Sequence, residues 1–355
     1  MTKVDIFSGF LGAGKTTLIK KLIAEAYGDE KLVLIENEFG EIGIDGGFLK
    51  ETGVQVNEMN SGCICCTLVG DFGKALQQVI EDYSPERILI EPSGVGKLSD
   101  VIIAVQDLHN DNIELNGFTT VVDAKKCKFY IKNFGEFYKN QVEHASSIIL
   151  SHVDGLDQAK LDECIHMLRE LNDNAEIVTT SWDEIDGSKI LETMEQKKTL
   201  SAELDKLREE AYAHAHEHEH EHEHEHEHHH DHDHEHEHHH DHEHEHHDHD
   251  HDHDHHHHHH HHADDVFSEV ADYTAHKYTK QQIEDALTAL GNFAECGQVL
   301  RAKGIVEGED GTWLHFDYVP GEPEVREGEA ETSGMVCVIG VDLEEDRIRE
   351  LFQLK

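Results

Sequence analysis

Basic residues are scarce in this chain: 29 Lys and Arg stand against 76 Asp and Glu over 355 residues, a formal net charge of −47. A surface of that sign repels nucleic acid and anionic membranes and attracts cations, so neither nucleic acid nor membrane is expected as a partner. Long apolar runs are missing too. Nothing approaches the roughly 18 residues a membrane span requires. The first residues lead almost directly into a strand-like segment, without the apolar core of a signal peptide. A cytoplasmic protein is the expectation. Cysteine is sparse and odd in number, seven in all, with three crowded into Cys63-Ile64-Cys65-Cys66. That distribution argues against a disulfide framework and for thiols kept reduced.

Histidine, by contrast, is abundant and confined. Residues 214–262 hold 31 of the 37 histidines and 17 Asp or Glu, with no Lys or Arg, so the rest of the chain still carries −30. The tract contains one apolar residue, Ala215, and ends in eight consecutive histidines, His255 to His262. It cannot bury a core, and disorder is expected. Neutral imidazole binds Zn²⁺, Ni²⁺, Co²⁺ and Cu²⁺, and at about four ligands per ion the tract would buffer roughly seven exchangeable ions. An inert solubilising linker is the plainer alternative.

Over residues 1–200, short apolar segments alternate with helical patterns. Strands are predicted at Val4–Phe7, Leu32–Glu36, Gln55–Glu58, Ile88–Glu91, Thr119–Val122, Ile148–Ser151 and Glu176–Thr180. Helices are predicted at Lys15–Tyr27, Asp71–Tyr83, Leu98–Leu108 and Gln158–Leu171. Such alternation implies an α/β fold, a mostly parallel sheet flanked by helices, with ligands at the carboxyl ends of the strands. Residues 190–213 read as a polar helix, so 201–265 form a helix and histidine-rich linker. Residues 266–355 read as a small α+β domain with strands at Val266–Tyr273, Gln298–Val306, Thr312–Val319 and Val336–Val341. Its helices are predicted at Lys280–Leu290 and Glu344–Phe352.

The stretch Gly9-Phe10-Leu11-Gly12-Ala13-Gly14-Lys15-Thr16 fits G-x-x-x-x-G-K-[ST] between a strand and a helix. In that setting the amides of Gly12, Ala13, Gly14, Lys15, Thr16 and Thr17 cradle phosphates. Lys15 reaches the β/γ-phosphates and the Thr16 hydroxyl binds Mg²⁺. Glu91 ends a buried strand before Pro92-Ser93-Gly94; a carboxylate there supports Mg²⁺, and the Gly94 amide can sense the γ-phosphate. Asp154, in Ser151-His152-Val153-Asp154, stands where an N-K-x-D signature reads guanine, although its Asn and Lys are replaced. A loop aspartate without a ligand is the alternative.

Cys63, Cys65 and Cys66 supply soft ligands at a strand end, a pattern that fits Zn²⁺ and also admits Co²⁺ or Ni²⁺. Buried structural thiols or a redox pair remain open. Glu36 and Glu41, in the loop after the second strand, are candidates to complete that site, and Asp45 to join the Mg²⁺ ligands. Cys127, Cys164, Cys296 and Cys337 stand alone and read as core residues.

Together the GFLGAGKTT loop, ENEFGEIGID, GCICC and the EPSG strand end resemble the CobW-type metal-chaperone GTPases, relatives of the HypB and UreG GTPases. The resemblance covers Lys3 to about Thr180, and residues 266–355 are similar to that family's C-terminal domain. It implies a GTPase with Lys15, Thr16 and Glu91 as catalytic groups, GTP and Mg²⁺ as ligands, and the cysteine motif as the metal site. It also implies delivery of metal to a client metalloprotein, and the expected partners extend to a second copy in a nucleotide- or metal-dependent homodimer. The departure is His152, where the family carries lysine. Two other readings follow from the residues: a metal-storage or sensing protein whose nucleotide is structural, and an ATP-using kinase or ligase.

Overall fold

The computed structural model describes residues 1–36, 55–58, 69–110, 112–196, 204, 207, 266–331 and 333–354. Within them the amino-terminal part folds as β1 (Thr2–Gly9), α1 (Lys15–Glu25), β2 (Leu32–Glu36), β3 (Gln55–Glu58), α2 (Val69–Tyr83) and β4 (Arg87–Glu91). It continues through α3 (Leu98–Gln106), β5 (Ile113–Asp123), α4 (Cys127–Asn133), α5 (Gly135–Glu143), β6 (Ser147–Ser151), α6 (Gln158–Leu171), β7 (Glu176–Val178) and α7 (Gly187–Met194).

The seven strands form one sheet in the order β3-β2-β4-β1-β5-β6-β7. Every pairing in it is parallel. Burial on both faces explains why the strands read as apolar runs. Period two sorts their side chains. Val4, Ile6, Val33, Ile35, Ile88 and Ile90 enter one core beneath α2, α3, α5 and α6. Phe7, Leu34, Leu89, Val121 and Ile149 enter the other, beneath Leu18 and Leu22 of α1 and Ile190 of α7.

At the amino-terminal edge of the sheet a buried ion network replaces apolar packing. The Arg87 guanidinium binds Asp5, reaches Glu30 at 2.7 Å and Glu195 at 2.9 Å, and lies 4.7 Å from the Tyr27 ring centroid. Asn116 donates to Asp5 at 2.7 Å. The network ties the residue after α7 to β1, β4 and β5.

The carboxyl-terminal part comprises β8 (Ser268–Thr274), α8 (Lys280–Leu290), α9 (Phe293–Cys296), β9 (Gln298–Glu307), β10 (Trp313–Val319), β11 (Glu322–Gly328), β12 (Gly334–Val341) and α10 (Glu345–Leu351). Its five strands make an antiparallel sheet in the order β11-β10-β9-β12-β8. A capping box closes the start of α8, with Thr279 and Gln282 bonded reciprocally. Ala302, Val306, Leu314, Phe316, Val336 and Val338 line the face that packs on α8 and α10. Ile305, Cys337 and Ile339 line the opposite face and join the core of the parallel-sheet part, with Phe267 against Phe10, Phe134 and Phe137. Residues Met1–Leu207 and His262–Lys355 thus form one compact unit.

Several elements depart from the sequence expectation. The helix read over 190–213 overlaps α7 from Gly187 to Met194, residues 204 and 207 are again helical, and most of the remainder lies outside the described residues. Helices α4, α5 and α9 and strand β11 are additional. Strand β11 (EPEVREG) is a largely exposed edge with no apolar alternation and a proline, so nothing in its pattern marks it. The histidine tract lies outside the described residues. Among the described residues, no helix is long and apolar enough to cross a membrane.

Candidate nucleotide-binding site

Strand β1 delivers its chain into a loop that α1 closes. The α1 N-cap is Gly14 in the left-handed region (φ 98°), it offers no side-chain cap, and the first turn carries no acidic residue. The amides at this helix start therefore face outward with their positive dipole intact, as an anion requires. Lys15 is almost fully buried and folds back, its Nζ donating to the Gly9 carbonyl at 2.9 Å. The Thr16 hydroxyl donates to the Glu91 carboxylate, at 3.1 Å from Oε1 and 3.2 Å from Oε2. Six of the sequence-predicted residues, Gly12, Gly14, Lys15, Thr16, Thr17 and Glu91, line one cavity of about 400 Å³.

Gly94 packs against this loop: a Cβ there would meet the Leu11 amide nitrogen at 2.9 Å. The Gly94 and Gly96 carbonyls accept from Gln141 Nε2 at 3.2 and 2.8 Å, so α5 fixes the segment after Glu91. Any ligand that displaces Gly94 must act on both Leu11 and Gln141.

A second cavity of about 230 Å³ opens beside Gly14 and Thr17, walled by His152, Asp154, Trp182 and Asp183. Trp182 donates from Nε1 to the Leu150 carbonyl at 2.9 Å, and a Cβ on Gly14 would lie 3.2 Å from its ring. His152 adopts φ 54°, in the left-handed region, and faces both cavities. Asp154 is thus brought to the phosphate loop. Trp182 and Asp183 were not singled out by the sequence, although the loop that leaves β7 also lies at the carboxyl edge of the sheet, where ligands bind.

The expected metal ligands divide. Glu36 is buried at the end of β2 and stands in register with Glu91 of β4 and with Glu58 of β3. Glu41, Asp45, Cys63, Cys65 and Cys66 lie outside the described residues. Among the described residues no group of three His, Cys, Asp or Glu side chains is placed to hold a metal. Cys127, Cys164, Cys296 and Cys337 are buried thiols.

The carboxyl-terminal sheet also reaches the first cavity, through Arg301, Asp317 and Arg326. Val319 at the end of β10 touches the phosphate loop: a Cβ on Gly12, which has φ 72°, would lie 2.6 Å from Val319 Cγ1. Lys126 of the loop before α4 reaches Glu322 of β11 at 2.7 Å.

Comparison with known proteins agrees with this two-part construction. Residues 3–179 match the family model described as CobW/HypB/UreG, nucleotide-binding domain, and residues 269–354 match Cobalamin synthesis protein cobW C-terminal domain. The chain belongs to the CobW/HypB/UreG family. Among curated members, zinc chaperone YeiR of Escherichia coli is 31% identical over 155 residues, 43% of this chain and 47% of that protein. Zinc chaperone YjiA of the same organism is 30% identical over 191 residues, 52% and 58% of the two chains. Zinc-regulated GTPase metalloprotein activator 1 of Schizosaccharomyces pombe is 29% identical over 200 residues, 53% and 48%. The matched stretch spans about half the length of these three relatives. The crystal structure of Zn(II)-bound YjiA GTPase from E. coli superposes with a TM-score of 0.43 at 18% identity, over 99% of this chain and 98% of that one. For this CobW/HypB/UreG member, the stretches singled out by its motifs and those matched by the family agree to within a few residues.

Proposed function

We propose that this chain is a GTP-hydrolysing metallochaperone that binds a transition metal, zinc foremost, at Cys63, Cys65 and Cys66 and delivers it to a client metalloprotein. The observation that carries the nucleotide half is the Thr16 hydroxyl bonded to the Glu91 carboxylate beside an uncapped helix start. These are hard oxygen donors converging at one point, which fits Mg²⁺. Thr16 and Glu91 would hold that ion with Asp45, and it would supply neutralisation of phosphate charge. Lys15 leaves the Gly9 carbonyl for the β/γ-phosphates, and the amides of Gly12 to Thr17 orient them. Asp154 accepts from the guanine N1–H and exocyclic amine in the second cavity.

Strand order supports coupling to metal. Neighbouring strand ends β3, β2, β4 and β1 lead, in that spatial sequence, into the segment with Cys63–Cys66, the segment with Glu41 and Asp45, Glu91 with Gly94, and the phosphate loop. Adjacent strands lie about 4.8 Å apart, so a change at Glu91 is one strand from Glu36 and two from β3. The zinc chaperones among the relatives support zinc as the cargo. The 31 tract histidines favour a second role, holding exchangeable ions on the same chain.

The test is metal analysis and GTP turnover of the chain lacking residues 214–262, with and without Cys65→Ala/Cys66→Ala. One zinc retained by the parent, lost with the cysteines, and a turnover that responds to zinc only in the parent are expected. Equal metal content and an unchanged zinc response would overturn the coupling. High metal capacity confined to the tract, with no turnover under any metal load, would establish the storage reading instead.

A further inference from the structure

Residue parity places one face of the antiparallel sheet over the phosphate loop. On β9, β10 and β11 the side chains of Arg301, Asp317, Val319, Glu322, Glu324 and Arg326 share that face. All six line the same cavity as Lys15, Thr16 and Glu91. Both guanidinium groups converge on one carboxylate: Arg326 Nη1 donates to Asp317 Oδ2 at 3.0 Å, and Arg301 Nη2 lies 3.8 Å from Asp317 Oδ1. Glu324 stands 3.7 Å from Arg326, and Glu322 is paired with Lys126 at 2.7 Å.

We propose that Arg326 and Arg301 are phosphate-binding residues contributed by the carboxyl-terminal part to a triphosphate on the phosphate loop, with Asp317 as the carboxylate they leave. The inference rests on the nucleotide reading above and adds to it a group that distinguishes triphosphate from diphosphate. Its chemistry is an exchange of anions. The Asp317 and Arg326 side chains are 37% and 39% exposed, and an ion pair in that setting is weak. A phosphate presents more acceptor oxygens and more charge to the planar guanidinium fork than one shared carboxylate does. The two arginines lie with Lys15 and Glu91, at the phosphate end of the site, whereas Asp154 and Trp182 belong to the second cavity. They therefore meet the terminal phosphates rather than the base. Through β9 and β11 the same contact makes the seating of the antiparallel sheet depend on the nucleotide state.

The experiment is calorimetric titration of full-length protein with GTP and with GDP, for the wild type, Arg301→Gln/Arg326→Gln, Arg301→Lys/Arg326→Lys and Asp317→Asn. Loss of charge-assisted bonds should weaken GTP about tenfold or more in the Gln pair and leave GDP within about threefold. The Lys pair, which keeps the charge but not the fork, should fall between, and Asp317→Asn should bind GTP more tightly than wild type. GTP and GDP weakened equally, or all variants indistinguishable from a wild type that binds both, would overturn the proposal alone. A folded wild type that binds neither nucleotide would overturn it together with the nucleotide reading. Asp317→Asn guards against misfolding of the arginine variants, since it removes no cation and predicts a gain.

Discussion

Val319, the last residue of β10, sits on Gly12 of the phosphate loop so closely that a Cβ on the glycine would lie 2.6 Å from its Cγ1. Gly12 → Ala therefore meets two costs, the positive φ of 72° and the valine methyl. We expect Gly12→Ala to destabilise the protein by about 1–3 kcal/mol. Val319→Ala in the same chain should recover the part due to the methyl and leave the part due to φ. Denaturant unfolding of the two single variants and the double variant measures the coupling. Additive effects would show that the two residues do not meet.

Much of this arrangement was legible in the sequence, and the reason is local. Buried parallel strands such as Ile88–Glu91 announce themselves as apolar runs, and Gly9 to Thr17 needs only its own neighbours to form a phosphate cradle. Helices α4 and α5 are short, and their buried residues, Cys127 and Tyr130 in the first and Phe137, Tyr138, Gln141 and Val142 in the second, make no long stripe to reveal the period. Strand β11 is amphipathic in no sense that composition reveals. The contribution of Arg301, Asp317 and Arg326 was illegible for a different reason: it depends on how one sheet docks on another, with about 290 residues of sequence between Lys15 and Arg301. Cys63, Cys65 and Cys66, the most specific metal signal in the sequence, lie outside the described residues.

The buried network at Arg87 yields a stability prediction. Arg87 and Asp5 side chains are each 1% exposed, so removing one partner leaves the other charge buried. Arg87→Met is expected to cost about 3–5 kcal/mol. Asp5→Asn added to it should return a substantial share, because the uncompensated carboxylate is gone. Chemical denaturation of both variants decides it; a double variant no more stable than Arg87→Met would refute the account.

The contact between Lys126 and Glu322 should titrate. The Lys126 ammonium beside it holds the Glu322 carboxyl below the usual glutamate range, with His152 and Lys125 adding smaller attraction. A depressed folded pKa contributes stability that is complete above the unfolded value, about 4.3, and is lost as pH falls through the folded value. Glu322→Gln should therefore lower the melting temperature slightly at pH 7, and the difference from wild type should close below about pH 4. A difference that persists at low pH would assign the effect to packing instead.

Mg²⁺ dependence tests the Thr16–Glu91 pair. Thr16→Ala and Glu91→Gln each remove one oxygen donor from the point where the two side chains meet. Either should reduce GTP turnover by about a hundredfold or more, consistent with loss of transition-state charge stabilisation. Both should also raise the Mg²⁺ concentration required for half-maximal turnover, and chelation of Mg²⁺ should abolish turnover in the wild type. Turnover unaltered by Glu91→Gln would exclude that carboxylate from the site.

Base choice is decided in the second cavity. Asp154 and Asp183 both border it, with Trp182 and Gly14 packed at its floor. A carboxylate accepts from the N1–H and exocyclic amine of guanine but meets only an acceptor, N1, on the corresponding edge of adenine. A site built for those donors penalises a base that lacks them. Asp154→Asn should weaken GTP about tenfold to a hundredfold while leaving ATP nearly unchanged, so that the two converge. Xanthine nucleotide, which carries an oxygen where guanine has its amine, should bind the variant better than the wild type because the new amide can donate to it. Asp183→Asn is the matched control, since it changes the same charge in the same cavity. If Asp183→Asn and not Asp154→Asn reverses the preference, the base is read from the β7 loop. His152 then has a role the sequence motif does not specify, at the junction of the two cavities.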